Sequence, residues 1–145
     1  MGQYYYVVNL DKREYLYPHK FGDGLKLCEF GASGCGTMLG LAVLLSNGNG
    51  GGGGDIDSDD EIIGSWAGDR IVLAGDYGDC GRFIPNDVSL ETLRRIARKS
   101  FSEGYQQPER VNLHHLAQVE WTDISDRVLA ALKQDEYLAE NLRTP

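Results

Sequence analysis

Apolar and polar positions along this chain predict mainly strands in the first half and helices in the second. Residues 3–9 (QYYYVVN) are rich in aromatic and β-branched side chains, which is typical of a strand. Residues 14–17 and 25–30 alternate apolar with polar or small side chains and predict two more strands. Residues 70–74 (RIVLA) lie between glycine-aspartate pairs and predict a buried central strand.

Three further segments predict helices. Residues 37–46 are apolar on every side and precede Asn47-Gly48, a suitable helix stop, so we expect a buried helix. A buried strand would show the same apolar run. Residues 89–102 separate an apolar stripe from a basic face, and a last helix is predicted over 125–133, beyond which we expect the acidic tail to fray. This order indicates an α+β fold with a mostly antiparallel sheet.

The length and charge narrow the class of protein. A chain of 145 residues fits one domain with its own core, so we predict a single domain over 1–145. Residues 31–81 hold eight acidic side chains and one basic one, and 15 of the 19 glycines. We expect a flexible, glycine-rich acidic loop at 47–61. A net charge of −8 argues against binding of duplex nucleic acid, which needs a basic face.

The sequence also indicates a compartment. No apolar run approaches the roughly 20 residues that span a bilayer, and the first residues lack the pattern of a signal peptide. We therefore expect a cytoplasmic protein that does not associate with membranes. The three cysteines are odd in number and have no CxxC spacing, which disfavours a disulfide framework and a thiolate zinc site.

Five aspartates form a candidate metal site. Clustered carboxylate oxygens suit hard cations such as Ca²⁺ or Mg²⁺, and alternate acids in the loop resemble the start of a calcium-binding loop. That resemblance then fails, because Asp60 replaces the glycine of the turn and Trp66 replaces the bidentate glutamate. A different site could combine both acidic segments. The candidate ligands are Asp55, Asp57, Asp59, Asp76 and Asp79. The alternative is a solvated acidic loop.

A glycine-rich turn precedes the first predicted helix and is a candidate phosphate site. Free backbone N–H groups at a helix N-terminus attract anions, and glycine lets a phosphate approach. The spacing matches neither a Walker A motif nor a dinucleotide fingerprint. The candidate ligand-binding residues are Gly31, Gly34, Gly36 and Thr37. The alternative is a tight turn into a buried helix. Cys35 in this turn has no identifiable base, so we assign no catalytic residue.

Tyrosines crowd the first two predicted strands and form a candidate protein-binding surface. On a two-stranded hairpin some of them must face outwards, and tyrosine provides a large contact area at low entropic cost. The candidate contact residues are Tyr4, Tyr6, Tyr15 and Tyr17. The alternative is a second sheet face covered by a helix. The basic face of residues 94–99 offers another contact, which could join the acidic loop of a second copy in a homo-oligomer.

Four segments resemble a group of short, uncharacterised proteins from bacteria and their phages. They cover roughly the first 80 residues: MGQYY at 1–5, NLDK at 9–12, FGDGLKL at 21–27 and GSWAGDRI at 64–71. The resemblance carries no known activity and implies only a bacterial or phage origin and an accessory role. By analogy with small acidic phage proteins, it favours binding of a host protein or of a signalling nucleotide.

Together these observations predict a small acidic accessory protein that works by binding a partner and catalyses no reaction. The expected contacts are the tyrosine-rich strands and the acidic middle of the chain. The alternative from a different class is divalent-metal-dependent binding or hydrolysis of a phosphate-containing ligand, held between the aspartates and the glycine-rich turn.

Overall fold

The computed structural model describes residues 2–142 and contains a four-stranded sheet. The strands are β1 (Tyr5–Asn9), β2 (Glu14–Leu16), β3 (Ile71–Gly75) and β4 (Thr122–Asp123), in the order β3-β1-β2-β4. β1 pairs antiparallel with both β2 and β3, whereas β4 pairs parallel with β2. The sheet is therefore mixed: two of its three strand pairs are antiparallel, in line with the mostly antiparallel sheet that the sequence predicts, and the short last strand adds a parallel pair.

Six helices accompany this sheet in the described part of the chain. They are α1 (Leu27–Gly31), α2 (Thr37–Leu45), α3 (Leu90–Ser100), α4 (Leu113–Glu120), α5 (Ser125–Leu132) and α6 (Glu136–Asn141). Short 3-10 turns cover Pro18–Phe21, Glu103–Tyr105 and Pro108–Arg110. The predicted α+β class is confirmed. None of the helices found between residues 2 and 142 has the length and apolar character that crossing a membrane requires.

The sheet is covered on both faces, and this explains the aromatic and β-branched composition of β1. Val7 packs with α2, α5 and the fully buried Trp66 on one face. Tyr6 and Val8 pack with α3 and α4 on the other face. A central strand with apolar contacts on both sides has no solvent-facing position, so its sequence reads as a continuous apolar run.

The strand predicted over 25–30 is wrong, because the chain forms α1 there. The backbone N–H of Lys26 donates to the Glu29 carboxylate at 3.0 Å, which closes the first turn of this helix. Only Phe30 is buried in it, while Leu27 is exposed. The alternation of apolar with polar or small side chains over residues 25–30 therefore does not correspond to a strand with one buried face.

Besides α1, two helices and a strand were not predicted. In α4 the side chain of Asn112 accepts a hydrogen bond from the His115 N–H at 3.1 Å, a standard N-cap. The tail expected to fray instead forms α6, whose cap is Asp135, and Leu138 buries against the core. β4 has only two residues, too few for any periodic signal.

The segment at 47–61 has no helix or strand, but its acidic side chains make local contacts. Asp55 accepts hydrogen bonds from the N–H groups of Gly50 and Gly51, each at 2.9 Å. Asp60 forms an ion pair with Arg127 of α5, and this contact holds the pKa of Asp60 below its usual value. These contacts give Asp55 and Asp60 structural roles; the flexibility of the loop stays a prediction.

The turn between β1 and β2 is tied to the residues that precede β3. The Asn9 amide and the Lys12 ammonium both donate to Asp69, at 2.9 and 2.5 Å. Arg70 donates to the Asp11 carboxylate through Nε at 3.0 Å and through Nη2 at 2.8 Å. We call these contacts the hairpin clasp. It joins the segments 9–12 and 64–71.

Candidate functional site

An open cleft of about 700 Å³ lies at one end of β1. The first two strands form one wall, and the end of α3 with the first turns of α4 forms the other. We call it the tyrosine–histidine cleft. Its lining side chains are Tyr4, Tyr6, Tyr17, Leu25, Asp76, Lys99, Ser100, His114, His115, Gln118 and Val119.

Three of the four tyrosines predicted as contact residues line this cleft, and the fourth supports it. Tyr6 lies at the centre: its ring stacks on His114 with centroids 4.2 Å apart, and on Tyr15 at 4.9 Å. Tyr17 meets Tyr6 edge-on at 5.5 Å. Burial raises the pKa of Tyr6 well above its ordinary value, so this hydroxyl stays protonated. Of this aromatic group, Tyr4 is the exposed member.

The two histidines of α4 have different tautomers when neutral. His114 Nδ1 lies 3.0 Å from the carbonyl oxygen of Ala74, which can only accept, so Nδ1 carries the proton and Nε2 is an acceptor. His115 Nδ1 accepts from the N–H of Asn112 at 3.5 Å, so its proton is on Nε2. The pair thus offers one acceptor and one donor.

Both histidines are held in the neutral form near pH 7. Burial lowers the pKa of His114, although its hydrogen bond to Ala74 and the charge of Asp76 oppose the shift. Burial also lowers the pKa of His115 to about 4, with a contribution from His114 nearby. The wall of the cleft formed by α4 therefore carries polar nitrogen atoms without charge.

The charged side chains of the cleft are one acid and one base. Asp76 follows β3, and its carboxylate accepts a hydrogen bond from the Tyr4 N–H at 2.9 Å. Lys99 comes from the last turn of α3. Because these charges have opposite sign and the histidines are neutral, the cleft suits a ligand with hydrogen-bonding groups and little net charge.

Acid should destabilise the protein in the range where these histidines titrate. The unfolded chain takes up protons near the ordinary histidine pKa of 6.5, whereas folded His115 resists protonation down to about 4. Stability is thus complete above pH 6.5 and is lost as the pH falls towards 4. Because His115 is partly exposed, we expect a loss of about 1 kcal/mol between pH 7 and pH 5.

Urea unfolding at both pH values measures this loss. His115→Gln should show a smaller loss than the wild type over the same interval. An equal loss in both proteins would show that His115 does not cause it.

The glycine-rich turn before α2 already holds an anion, the carboxylate of Asp23. Asp23 Oδ2 accepts from the Thr37 N–H and from the Thr37 hydroxyl, both at 2.7 Å, and from the Ser33 hydroxyl at 3.1 Å. A Cβ at Gly36 would contact this carboxylate, which accounts for glycine there. Gly34 is exposed on the same turn, and Gly31 is exposed at the end of α1. Phosphate binding at Gly31, Gly34, Gly36 and Thr37 stays a prediction, and it would compete with Asp23 for the Thr37 N–H.

The five predicted metal ligands make separate contacts. Asp55 caps a turn of its own loop, and the Asp57 N–H donates to Asp135 at 2.8 Å. Asp59 is exposed, Asp76 binds the Tyr4 N–H, and Asp79 lies 3.5 Å from Arg82. Among residues 2–142, no group of three or more His, Cys, Asp or Glu side chains has the arrangement of a metal site.

Two arginines of the predicted basic face form ion pairs, and the three cysteines form no disulfide. Arg95 forms an ion pair with Glu120 of α4, and Arg98 lies 3.9 Å from Glu91 on its own helix. Lys99 is the member of this face that lines the cleft. All three cysteines are free, and Cys80 donates to the Arg110 carbonyl at 3.4 Å.

The histidine pair is the part of the site that sequence reasoning missed. Adjacent residues diverge on a helix, so the sequence positions of His114 and His115 give no sign of a joint role. Their rings are nevertheless 5.8 Å apart and nearly perpendicular, and both line the cleft because it wraps around the start of α4. The available signal was Asn112, a residue type that favours the N-cap of a helix, followed by apolar Leu113 and Leu116 at helical spacing.

The fold and the cleft define an α+β protein with helices on both faces of a mixed sheet and one open polar-aromatic cleft. No family model matches the sequence, and the searches of curated proteins and of solved structures found no match either.

Proposed function

We propose that this protein acts by binding a protein partner, and that the residues which contact this partner lie in the tyrosine–histidine cleft. The observation that carries the proposal is the cleft itself, where aromatic rings, neutral histidines and a pair of opposite charges surround about 700 Å³ of open space. Tyrosine-rich surfaces with few charges are typical of protein contacts.

The chemistry of the cleft favours a polypeptide over a nucleotide. A phosphate group needs several cations or free N–H donors, and the cleft offers one lysine and is also lined by an aspartate. The N-terminus of α2, the other anion-binding candidate, is capped by Asp23. Peptide groups and neutral polar side chains, by contrast, match an imidazole acceptor next to an imidazole donor.

The same chemistry supports binding over catalysis. A general base is most effective when its pKa lies near the working pH. Burial lowers the pKa of His115 to about 4, which makes it a weak base at pH 7. The proposal therefore assigns the histidines to hydrogen bonding and not to proton transfer.

A photo-crosslinking amino acid at Tyr4 tests the proposal, with the same amino acid at Tyr137 as the control. Tyr137 is a matched position because it is 67% exposed on α6 and does not line the cleft. We expect one protein of the native cell to be crosslinked from Tyr4 and not from Tyr137. A protein captured equally from both positions would contradict a specific site.

The captured partner is then purified and titrated against cleft variants by calorimetry. Lys99→Ala and His115→Gln should each weaken binding about tenfold, which is 1.4 kcal/mol, because both side chains face the partner. Tyr137→Ala should keep the wild-type affinity. Wild-type affinity in both cleft variants would overturn the proposal, as would saturable binding of a mononucleotide that the partner cannot displace.

A further inference from the structure

β3 is an edge strand whose outer side presents free backbone groups. The Asp76 N–H donates to the Tyr4 carbonyl and the Leu10 N–H to the Arg70 carbonyl, each at 2.9 Å. In an antiparallel ladder, every second residue of a strand forms backbone hydrogen bonds with a given neighbouring strand. The backbone groups at positions 70, 72, 74 and 76 therefore face β1. The N–H and C=O groups of Ile71 and Leu73 therefore point to the open edge.

The surface along this edge is apolar and accessible. Leu73 is 40% exposed, and Tyr77 and Phe83 are also among the exposed large hydrophobic side chains. A groove of about 280 Å³ runs beside residues 72–75 and is bounded by Tyr77, Arg82 and Phe83. β3 itself contains no proline and no charged residue, the devices that usually protect an edge from pairing.

We propose that β3 pairs with β3 of a second copy of this chain, antiparallel and centred on Leu73. In this register Ile71 lies opposite Gly75 of the second copy, and Leu73 lies opposite its own counterpart. Arg70 then faces Asp76 of the second copy at both ends of the pair. Two sheets of four strands become one sheet of eight, and the contact is self-complementary, as a two-fold interface requires.

Charge complementarity is the reason to assign the edge to a second copy. The strand is neutral and is flanked by one base and one acid, so only the antiparallel arrangement of two copies brings opposite charges together. Arg70 is 72% exposed and can reach across while its other contact, Asp11, stays on its own chain. Asp76 is the one lining residue of the tyrosine–histidine cleft that the pairing uses.

Light scattering coupled to size exclusion tests the pairing on the full chain. The wild type should show twice the monomer mass of 16.0 kDa. Leu73→Lys should return the mass to the monomer, because it places two like charges opposite each other at the centre. Leu45→Lys is the matched control: Leu45 is similarly exposed, at 38%, but lies on α2, so this variant should stay dimeric.

Amide hydrogen exchange gives a second measurement that does not depend on a variant. The Leu73 amide should be protected in the wild-type dimer and should exchange faster on dilution, while the Val72 and Ala74 amides stay protected by β1 at every concentration. A wild type that remains monomeric at about 1 mM would overturn the proposal. A dimer that survives Leu73→Lys, or that leaves the Leu73 amide unprotected, would overturn it too.

Discussion

Asp23→Ala should lower the melting temperature by about 10 °C, equivalent to a loss of about 3 kcal/mol in the free energy of unfolding. Asp23 is buried and accepts hydrogen bonds from the Thr37 N–H, the Thr37 hydroxyl and the Ser33 hydroxyl. Alanine would leave a buried N–H and a buried hydroxyl of Thr37 without this acceptor, and it would also remove the cap of α2. Calorimetry or thermal circular dichroism measures the shift.

Two further variants separate the cap from a general effect of charge. Asp23→Asn keeps one oxygen that can accept from the Thr37 N–H, so its loss should be smaller than that of alanine. Asp126→Ala removes a carboxylate that is exposed and contacts Lys20 at 3.3 Å, and it should change stability by less than 1 kcal/mol. Equal melting temperatures for wild type and Asp23→Ala would show that α2 does not depend on this carboxylate.

Trp66→Ala should cost about 4 kcal/mol, the largest loss that we expect from a single side chain of this protein. Trp66 has no exposed surface and packs in the core between the sheet, α2 and α5. Its indole N–H also donates to the Glu14 carboxylate at 2.9 Å. Removal leaves a cavity that the neighbouring side chains fill only in part, and it leaves Glu14 without this donor. Urea unfolding monitored by circular dichroism gives the free energy directly.

Trp66→Phe separates the cost of the lost apolar volume from the cost of the lost hydrogen bond to Glu14. Phenylalanine retains most of the apolar volume but has no donor for Glu14, so we expect a loss of about 1–2 kcal/mol. Trp121→Ala is the comparison at a second tryptophan, which is only partly buried, and its cost should be smaller than that of Trp66→Ala. The reverse order of the two alanine variants would contradict the assignment of Trp66 to the centre of the core.

Local patterns predicted the elements whose residues have a strong preference of their own. The dense aromatic and β-branched run of β1 and the single apolar stripe of α3 were both visible in the sequence. α1 was missed because its five residues bury only Phe30, which leaves no helical stripe to detect. β4 exists because the chain before α5 lies beside β2, a contact that no local pattern encodes.

The site was predictable to the extent that its residues are close in sequence. The tyrosines of the first two strands stood out by composition. The cleft needs a second wall, however, and that wall comes from residues about 100 positions later, such as His114 and His115. Asp76 was predicted as a metal ligand. It lies in the cleft, where its carboxylate accepts a hydrogen bond from the Tyr4 N–H. Sequence spacing could not bring these side chains together.

The hairpin clasp has a consequence for comparing this protein with others. Its residues, together with Asp23 and Trp66, belong to the segments 9–12, 21–27 and 64–71, and all of them hold the chain in its folded form. Five of the polar side chains that line the cleft, Lys99, Ser100, Gln118 and both histidines, come from the helical half outside those segments. Two chains that share the segments would share an architecture and yet be free to diverge in what they recognise, so residues 99–119 are the region to compare when ligands are being assigned.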